Sequence, residues 1–249
     1  MELKRIEDCN VAIDCLNQAF SLPNESVDLK GYVGTRKDQY LYIGAYEEDT
    51  LMGALAYDED HGRIVLVGVL EKYRNKGVCK TLVQYVIAQA IEENLARICI
   101  EVIHTQVEYF ETLGFEAVSH FNSEDVKVEM EYLIACKYLG RSVHVTIDKP
   151  YGSIHEYRPD VLYSCNVGYV DEIMKEEGDF VEAYVYNKQE PLETYVGIVM
   201  AIVFNKDSEL CKLVVSNEAP IQEEVLLKDI GPLEQDQNIR IVYMRNDKN

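Results

Sequence analysis

In the first half of the chain, apolar residues gather in short runs separated by polar turns. Tyr40 to Tyr46, Leu51 to Tyr57 and Ile64 to Leu70 read as three strands joined by Glu47-Glu48-Asp49-Thr50 and by Asp60-His61-Gly62, which predicts an antiparallel meander. The third run passes through a short loop into a stretch where Val78, Leu82, Val83, Val86, Ile87, Ala90 and Ile91 recur at helical spacing. Ala96 to Val102 is an apolar run suited to a central strand. Thr105 to Leu113 predicts a helix with Gly114 as its C-cap, and Val126 to Ala135 a further strand. Ahead of the meander, Val11, Ala12, Cys15, Leu16 and Ala19 share one side of an N-terminal helix.

The pattern changes at Tyr138-Leu139-Gly140-Arg141. From there the helical spacing stops, and short strand-like runs take over: Ser142 to Ile147, Glu182 to Tyr186, Thr194 to Phe204, Cys211 to Ser216 and Ile239 to Met244. Turn formers such as Asp148-Lys149-Pro150, Glu177-Gly178-Asp179 and Gly231-Pro232 separate them, which predicts a small closed or partly open barrel. The expected domains are residues 1–137 and 138–249, and the expected class is α+β: a mixed, mostly antiparallel sheet with flanking helices, then a small all-β barrel.

Composition narrows the function classes. With 249 residues and 47% hydrophobic content, the chain can bury two modest cores. No stretch approaches the roughly 18 to 20 apolar residues a membrane span needs, and Met1-Glu2-Leu3-Lys4-Arg5 leads into no apolar signal region, so a cytoplasmic protein is expected. The seven cysteines are scattered and never spaced Cys-x-x-Cys, which argues for reduced thiols over a disulfide framework or a zinc site. A formal net charge of -20 argues against nucleic acid as a partner.

Against that acidic background, Val69-Leu70-Glu71-Lys72-Tyr73-Arg74-Asn75-Lys76-Gly77-Val78-Cys79-Lys80 stands out. A strand feeds a loop that feeds a helix, and the first turn of a helix offers unpartnered N–H groups and the positive end of the helix dipole. Phosphate oxygens fill such vacancies. Gly77 allows close backbone approach, while Arg74, Lys76 and Lys80 set three cations around the loop. Arg74-Asn75-Lys76-Gly77-Val78-Cys79 resembles the coenzyme A signature of the GNAT superfamily of acyltransferases, Arg/Gln-x-x-Gly-x-Gly/Ala, with Cys79 in place of the usual small residue. Tyr109-Phe110-Glu111-Thr112-Leu113-Gly114-Phe115 resembles the second signature of that family, and the order of elements around both is the GNAT arrangement.

This resemblance implies acetyl-CoA as cosubstrate and direct attack of an acceptor amine on its thioester. Val69 and Leu70 would lend backbone groups to the pantetheine arm, residues Arg74 to Lys80 would hold the pyrophosphate, and a backbone N–H would stabilise the developing oxyanion. The family often uses a Tyr four residues before the Gly of its second signature as the acid for the departing thiolate. That position is Phe110, placed in the coenzyme site; Tyr109 lies about 100 degrees around the helix. Either Tyr109 serves through a shifted helix start, or the thiolate leaves without a protein acid. Candidate bases are Glu71, Glu101 and His104, the last at the C-terminal edge of the expected sheet. Each has a plainer reading: Glu71 as a loop acid, Glu101 as an ion-pair partner of Arg97 or another surface group, His104 as a capping residue. The N-terminal helix and Asn24 to Arg36 correspond to the part of the fold that shapes the acceptor site, and the acceptor, a small-molecule or peptide amine, has no signature. A homodimer joined through the second half is one expected assembly, and a non-catalytic sensor of coenzyme A and phosphate metabolites is the alternative function.

The second half resembles the soluble inorganic pyrophosphatases through Ile147-Asp148-Lys149-Pro150-Tyr151-Gly152-Ser153-Ile154-His155, Tyr163-Ser164-Cys165-Asn166-Val167-Gly168-Tyr169-Val170 and Glu177-Gly178-Asp179-Phe180-Val181-Glu182. Its departures fall on the chemistry. Glu177 and Glu182 stand where the family has metal-binding Asp, Val167 replaces a phosphate-facing Tyr, and Leu210 replaces a metal-binding Asp two residues before Lys212. Leucine cannot ligate magnesium, so the resemblance implies a barrel that has lost hydrolysis, with residual binding through Glu177, Asp179, Glu182 and Lys212. No metal ligand set is assigned.

Overall fold

A computed structural model describes residues 1–20, 34–118, 127–174, 180–205, 211–218, 220–234 and 238–244. The chain forms two compact units. One comprises Met1–Glu92 and Arg97–Leu133; the other comprises Glu93–Ala96 and Ile134–Asn249.

The first unit is built on a seven-stranded sheet of β1 (Glu2–Arg5), β2 (Leu41–Glu47), β3 (Thr50–Asp58), β4 (Arg63–Val69), β5 (Ile98–Ile103), β6 (Glu116–Ala117) and β7 (Lys127–Tyr132). Their order is β1-β2-β3-β4-β5-β7-β6, with β4 and β5 parallel and every other pair antiparallel. Three helices accompany the sheet: α1 (Cys9–Phe20), α2 (Val78–Glu92) and α3 (Val107–Thr112). Side chains alternate across a strand, so β2 and β3 feed two cores. Tyr42, Ala54 and Ala56 pack with Ala12, Ile13 and Leu16 of α1, while the alternate residues Ile43 and Leu55 are equally buried on the other face.

The meander and the long helix lie where the periodicity puts them, but several local expectations are corrected. Val11 is exposed, and Ile13 takes its expected place in the core of α1. Ile91, near the end of α2, is also exposed. β1 was not anticipated: its polar residues suit a sheet edge, where it pairs only with β2. The helix expected over Thr105–Leu113 begins as a 3-10 turn, His104–Gln106, before α3. Its end does follow the expected cap. Gly114 has φ +94°, its N–H bonds the Glu111 carbonyl at 3.0 Å, and the Phe115 N–H bonds the Phe110 carbonyl at 3.1 Å. That is a Schellman motif, closed by the apolar contact of Phe110 with Phe115. Val126 lies outside the described residues, and β7 stops at Tyr132, short of Ala135, because the chain turns into a 3-10 segment at Ile134–Tyr138.

The second unit comprises β8 (Ser142–Lys149), β9 (Ile154–His155), β10 (Arg158–Leu162), β11 (Asn166–Met174), β12 (Phe180–Val185), β13 (Thr194–Asn205), β14 (Cys211–Ser216), α4 (Glu223–Glu234) and β15 (Ile239–Tyr243). Strands β14, β12, β11, β8 and β13 pair in sequence and β13 pairs back to β14, closing a five-stranded barrel; β15 adds to β13, and β9 with β10 forms a separate hairpin. The helix α4 contradicts the expectation that helices stop at residue 138. Its start carries Glu223 and Glu224, which suit the positive end of the helix dipole, and Leu226 and Ile230, one turn apart, are buried on the barrel. Gly231 and Pro232, read as turn formers, fall in its last turn. Strand β12 shows why the barrel strands do not simply alternate: Ala183 and Val185 fill one face, and Tyr184 is buried on the other, beneath α4.

Fully buried Asn166 pins two loops to the barrel. Its Nδ2 donates to the carbonyls of Lys188 at 3.0 Å and Glu190 at 2.9 Å, and its Oδ1 accepts the N–H groups of Tyr151 and Leu192, each at 3.0 Å. All seven cysteines are thiols. Among the described residues, no helix is long and apolar enough to cross a membrane.

Candidate functional site

Strands β4 and β5 pair only at Arg63–Cys99 and Ile64–Ile100, so from Val65 onward the β5 side of β4 has left the ladder. Leu70 donates its N–H to Met52 at 2.9 Å, toward β3. By alternation, the backbone groups of Val69 and Val67 turn to the opening between β4 and β5. The expectation for Leu70 is thereby corrected: its N–H is spent on Met52, and its carbonyl accepts the Tyr73 N–H at 2.8 Å.

Beyond Leu70 the chain makes a 3-10 turn, Glu71–Tyr73, and a loop in which Asn75 (φ +60°) and Gly77 (φ +80°) are left-handed. A Cβ at Gly77 would meet nothing within 4 Å, so this glycine serves backbone conformation more than close packing. The ladder of α2 opens with the Thr81 N–H to the Gly77 carbonyl at 3.0 Å. The N–H groups of Val78, Cys79 and Lys80 therefore precede the first intrahelical bond and point out of the helix end.

The three cations differ in use. Arg74 turns inward, donating from Nη2 to the Ala19 carbonyl at the end of α1 (2.7 Å) and from Nε to the Val69 carbonyl (3.3 Å). Lys76 lies over the Tyr73 ring, 5.2 Å from its centroid, and Lys72 shares that ring at 4.6 Å. Lys80 is exposed on the first turn of α2.

Tyr109 is brought to the same helix end. Its hydroxyl accepts the Lys80 N–H and is hydrogen-bonded to Cys79, and burial, reinforced by Cys79, holds it well above the usual phenol range. Burial likewise raises the Cys79 thiol, partly offset by Tyr109. Phe110, expected in the coenzyme site, is 2% exposed and packs edge-on against Phe115. It belongs to the core, and Tyr109, one position earlier, faces the loop.

Because β4 and β5 are parallel, their C-terminal ends share one edge of the sheet. Glu71 follows β4 there, exposed, and the half-buried His104 follows β5. Glu101 is paired with Lys127 at 2.5 Å on the neighbouring strand, while Arg97 takes Glu131 at 3.0 Å in a buried pair. Of the stretch Asn24 to Arg36, expected to shape the acceptor site, residues 24–33 lie outside the described residues.

The barrel carries a second constellation. Lys149 contacts Glu182 at 3.1 Å and Asp148 at 3.3 Å. Lys212 contacts the other Glu182 oxygen at 3.4 Å, Glu234 at 3.0 Å and the Tyr184 hydroxyl at 3.0 Å. Burial works against ionisation of Glu182, but Lys212 and Lys149 outweigh it and hold its carboxyl below the usual range. Glu177, Asp179 and Leu210 lie outside the described residues. Among those described, no group of three or more His, Cys, Asp or Glu is placed to hold a metal ion.

Residues 13–130 match the family described as acetyltransferase (GNAT) domain. The N-terminal half of the chain is therefore a GNAT acetyltransferase domain, a domain that uses acetyl-CoA as cosubstrate. The match stops at residue 130 and leaves the five-stranded barrel without an assigned family. Among solved structures, the chain resembles the ribosomal-protein-S18-alanine N-acetyltransferase of Escherichia coli (16% identity, TM-score 0.44, covering 54% of this chain and 94% of that one). It also resembles a putative N-acetyltransferase from Lactobacillus plantarum (17%, 0.45, 53% and 98%) and the PaiA N-acetyltransferase of Thermoplasma acidophilum in complex with coenzyme A (12%, 0.41, 53% and 99%). No curated protein matches the chain.

Proposed function

We propose that the first unit transfers the acetyl group of acetyl-CoA directly to an amine, at the edge where β4 and β5 separate. The observation that carries this reading is the helix end itself, where left-handed Asn75 and Gly77 present the N–H groups of Val78 and Cys79 to an anion. The pyrophosphate takes those groups with Lys80 and Lys76 nearby, and the pantetheine arm runs along the backbone of Val67 and Val69. Arg74 holds the loop to α1 and to the end of β4 and leaves phosphate binding to the helix end.

In the reaction, the amine nitrogen bonds to the carbonyl carbon, the carbon–sulfur bond breaks, and the proton lost by the amine passes to a base. His104 and Glu71 are the candidate bases because they follow β5 and β4 at the shared edge of the sheet, while Glu101 lies within β5, paired with Lys127. Tyr109 is the acid for the thiolate, because its hydroxyl lies at the loop, hydrogen-bonded to Cys79 and to the Lys80 N–H. The acceptor is a small-molecule or peptide amine.

The barrel is a non-hydrolytic partner of this enzyme. Both oxygens of Glu182, the acid aligned with a metal ligand of the pyrophosphatases, are taken by lysines. Three measurements test the proposal. Acetyl-CoA at a hundred times its dissociation constant stabilises the wild type by about 2.7 kcal/mol; no shift at millimolar acetyl-CoA would remove the coenzyme site. A thiol-release screen over amines then identifies the acceptor, and phosphate release from pyrophosphate with magnesium would refute the reading of the barrel.

A further inference from the structure

A cavity of about 360 Å³ lies on the outer face of the barrel, bounded by the β9–β10 hairpin and the end of α4, and lined in part by Lys149, His155, Glu156, Tyr163, Glu182 and Lys212. Three hydrogen-bond donors there have capacity to spare. Tyr163 is 94% buried, since only 6% of it is exposed, yet it lines the cavity and no hydrogen bond engages its hydroxyl among the described residues. Lys149 has three N–H donors and two carboxylate partners, which leaves one. His155 stacks on Tyr163 with ring centroids 5.2 Å apart and planes 6° from parallel, and its Nδ1 accepts the Tyr157 N–H, so a neutral ring keeps its proton on Nε2.

Those donors call for an anion, but the charge of the lining does not. Lys149 and Lys212 are balanced by Glu156 and Glu182, and Glu234 stands behind Lys212. A polyanion would have to separate Glu182 from both lysines. Both signs of charge reach one atom: beyond the effect of burial, Lys149 lowers the Tyr163 pKa, while Glu156, Glu182 and Asp148 raise it. A ligand that satisfies the free donors without disturbing the ion pairs carries one negative and one positive group. The volume is near the lower limit of small-molecule sites, about 300 Å³, which sets a small ligand.

We infer that this cavity binds a small zwitterion of the α-amino-acid class, its carboxylate on the Tyr163 hydroxyl, Lys149 and His155, and its ammonium on Glu156. The barrel is then a ligand-binding module with a chemistry different from phosphate recognition.

The test uses the full-length chain without acetyl-CoA. Thermal shift and calorimetry are run with the common α-amino acids, with the matching decarboxylated amines and N-acetyl derivatives, and with inorganic phosphate and pyrophosphate. At least one amino acid is expected to raise the melting temperature and to bind about tenfold or more tightly than either derivative lacking one charge. Neither phosphate nor pyrophosphate should compete with it. Tyr163→Phe, which keeps the ring stack, and Glu156→Gln, at an exposed position, should each weaken binding about tenfold. Loss of binding in these two barrel variants is what separates this site from the acceptor site of the transferase. Should Tyr163→Phe lower the melting temperature of the free protein, Glu156→Gln decides. The inference is overturned if no amino acid binds the wild type, if phosphate or pyrophosphate displaces the bound amino acid, or if binding survives both barrel variants.

Discussion

Replacing Gly77 separates two reasons for a glycine at this loop. Its φ of +80° is a conformation in which an L side chain costs roughly 1–2 kcal/mol, whereas the space around its Cα is open. Gly77→Ala should therefore lower stability by about that amount, a few degrees of melting temperature at about 2–4 °C per kcal/mol for a chain of this size. Asn tolerates left-handed backbone better, so Gly77→Asn should cost less. Neither change should do more than mildly weaken acetyl-CoA. Gly77→Asp adds a negative charge beside the helix end. Two unit charges about 5 Å apart at an effective dielectric near 20 interact by ~3 kcal/mol, so acetyl-CoA should bind about a hundredfold more weakly. Calorimetric titration with acetyl-CoA and melting of the free variants read the two effects independently. If Gly77→Ala lost binding as completely as Gly77→Asp, the glycine would be serving contact with the ligand. If Gly77→Asp bound normally, the pyrophosphate would sit elsewhere.

Four other outcomes follow from the geometry. Arg74→Ala, which loses the bonds to Ala19 and Val69, should cost about 1–2 kcal/mol of stability in melting experiments. Its acetyl-CoA affinity should drop less than tenfold; a far larger drop with unchanged stability would make the guanidinium a ligand contact. Tyr109→Phe should reduce kcat by about 10²-fold or more without weakening acetyl-CoA, since Lys80 N–H is released. With the phenol held above its usual range, it adds no loss of rate on the alkaline side just above neutrality, and unchanged kcat in Tyr109→Phe would return the acid role to solvent. Asn166→Ala removes four hydrogen bonds from a fully buried site and should destabilise the barrel by roughly 3–5 kcal/mol in denaturant titrations; a change under about 1 kcal/mol would mean that the two loops hold themselves. Glu182 has a depressed pKa in the folded state, so its contribution is present above the ordinary carboxylate value of 4.5 and is lost as pH falls through the lower folded value. Melting against pH should show a steeper acid loss in the wild type than in Glu182→Gln, and parallel curves would deny the role of the two lysines.

What was legible in the sequence was local. The meander, the helix after Gly77 and the cap at Gly114 all rest on residues a few positions apart, whose spacing or backbone freedom is visible along the chain. Legibility failed where a residue's partner is distant. The Arg74 guanidinium is spent on Ala19, 55 positions away, and Glu101 is claimed by Lys127 across the sheet. Nothing near either residue announces those contacts. The same holds for α4: its short apolar face, Val225, Leu226, Ile230 and Leu233, forms a helix because it finds the barrel.

The sequence by itself determined the succession of meander, loop and helix around Gly77, because helix ends and left-handed glycines act through the backbone next to them. Only the tertiary structure decided which aromatic ring faces that loop. A helix that starts at Val107 buries Phe110 and turns Tyr109 to Cys79 and Lys80, and one residue of register cannot be read without the core that fixes it. It alone also decided that the lysines of the barrel are matched by glutamates, since their charges meet across strands that are far apart in the chain.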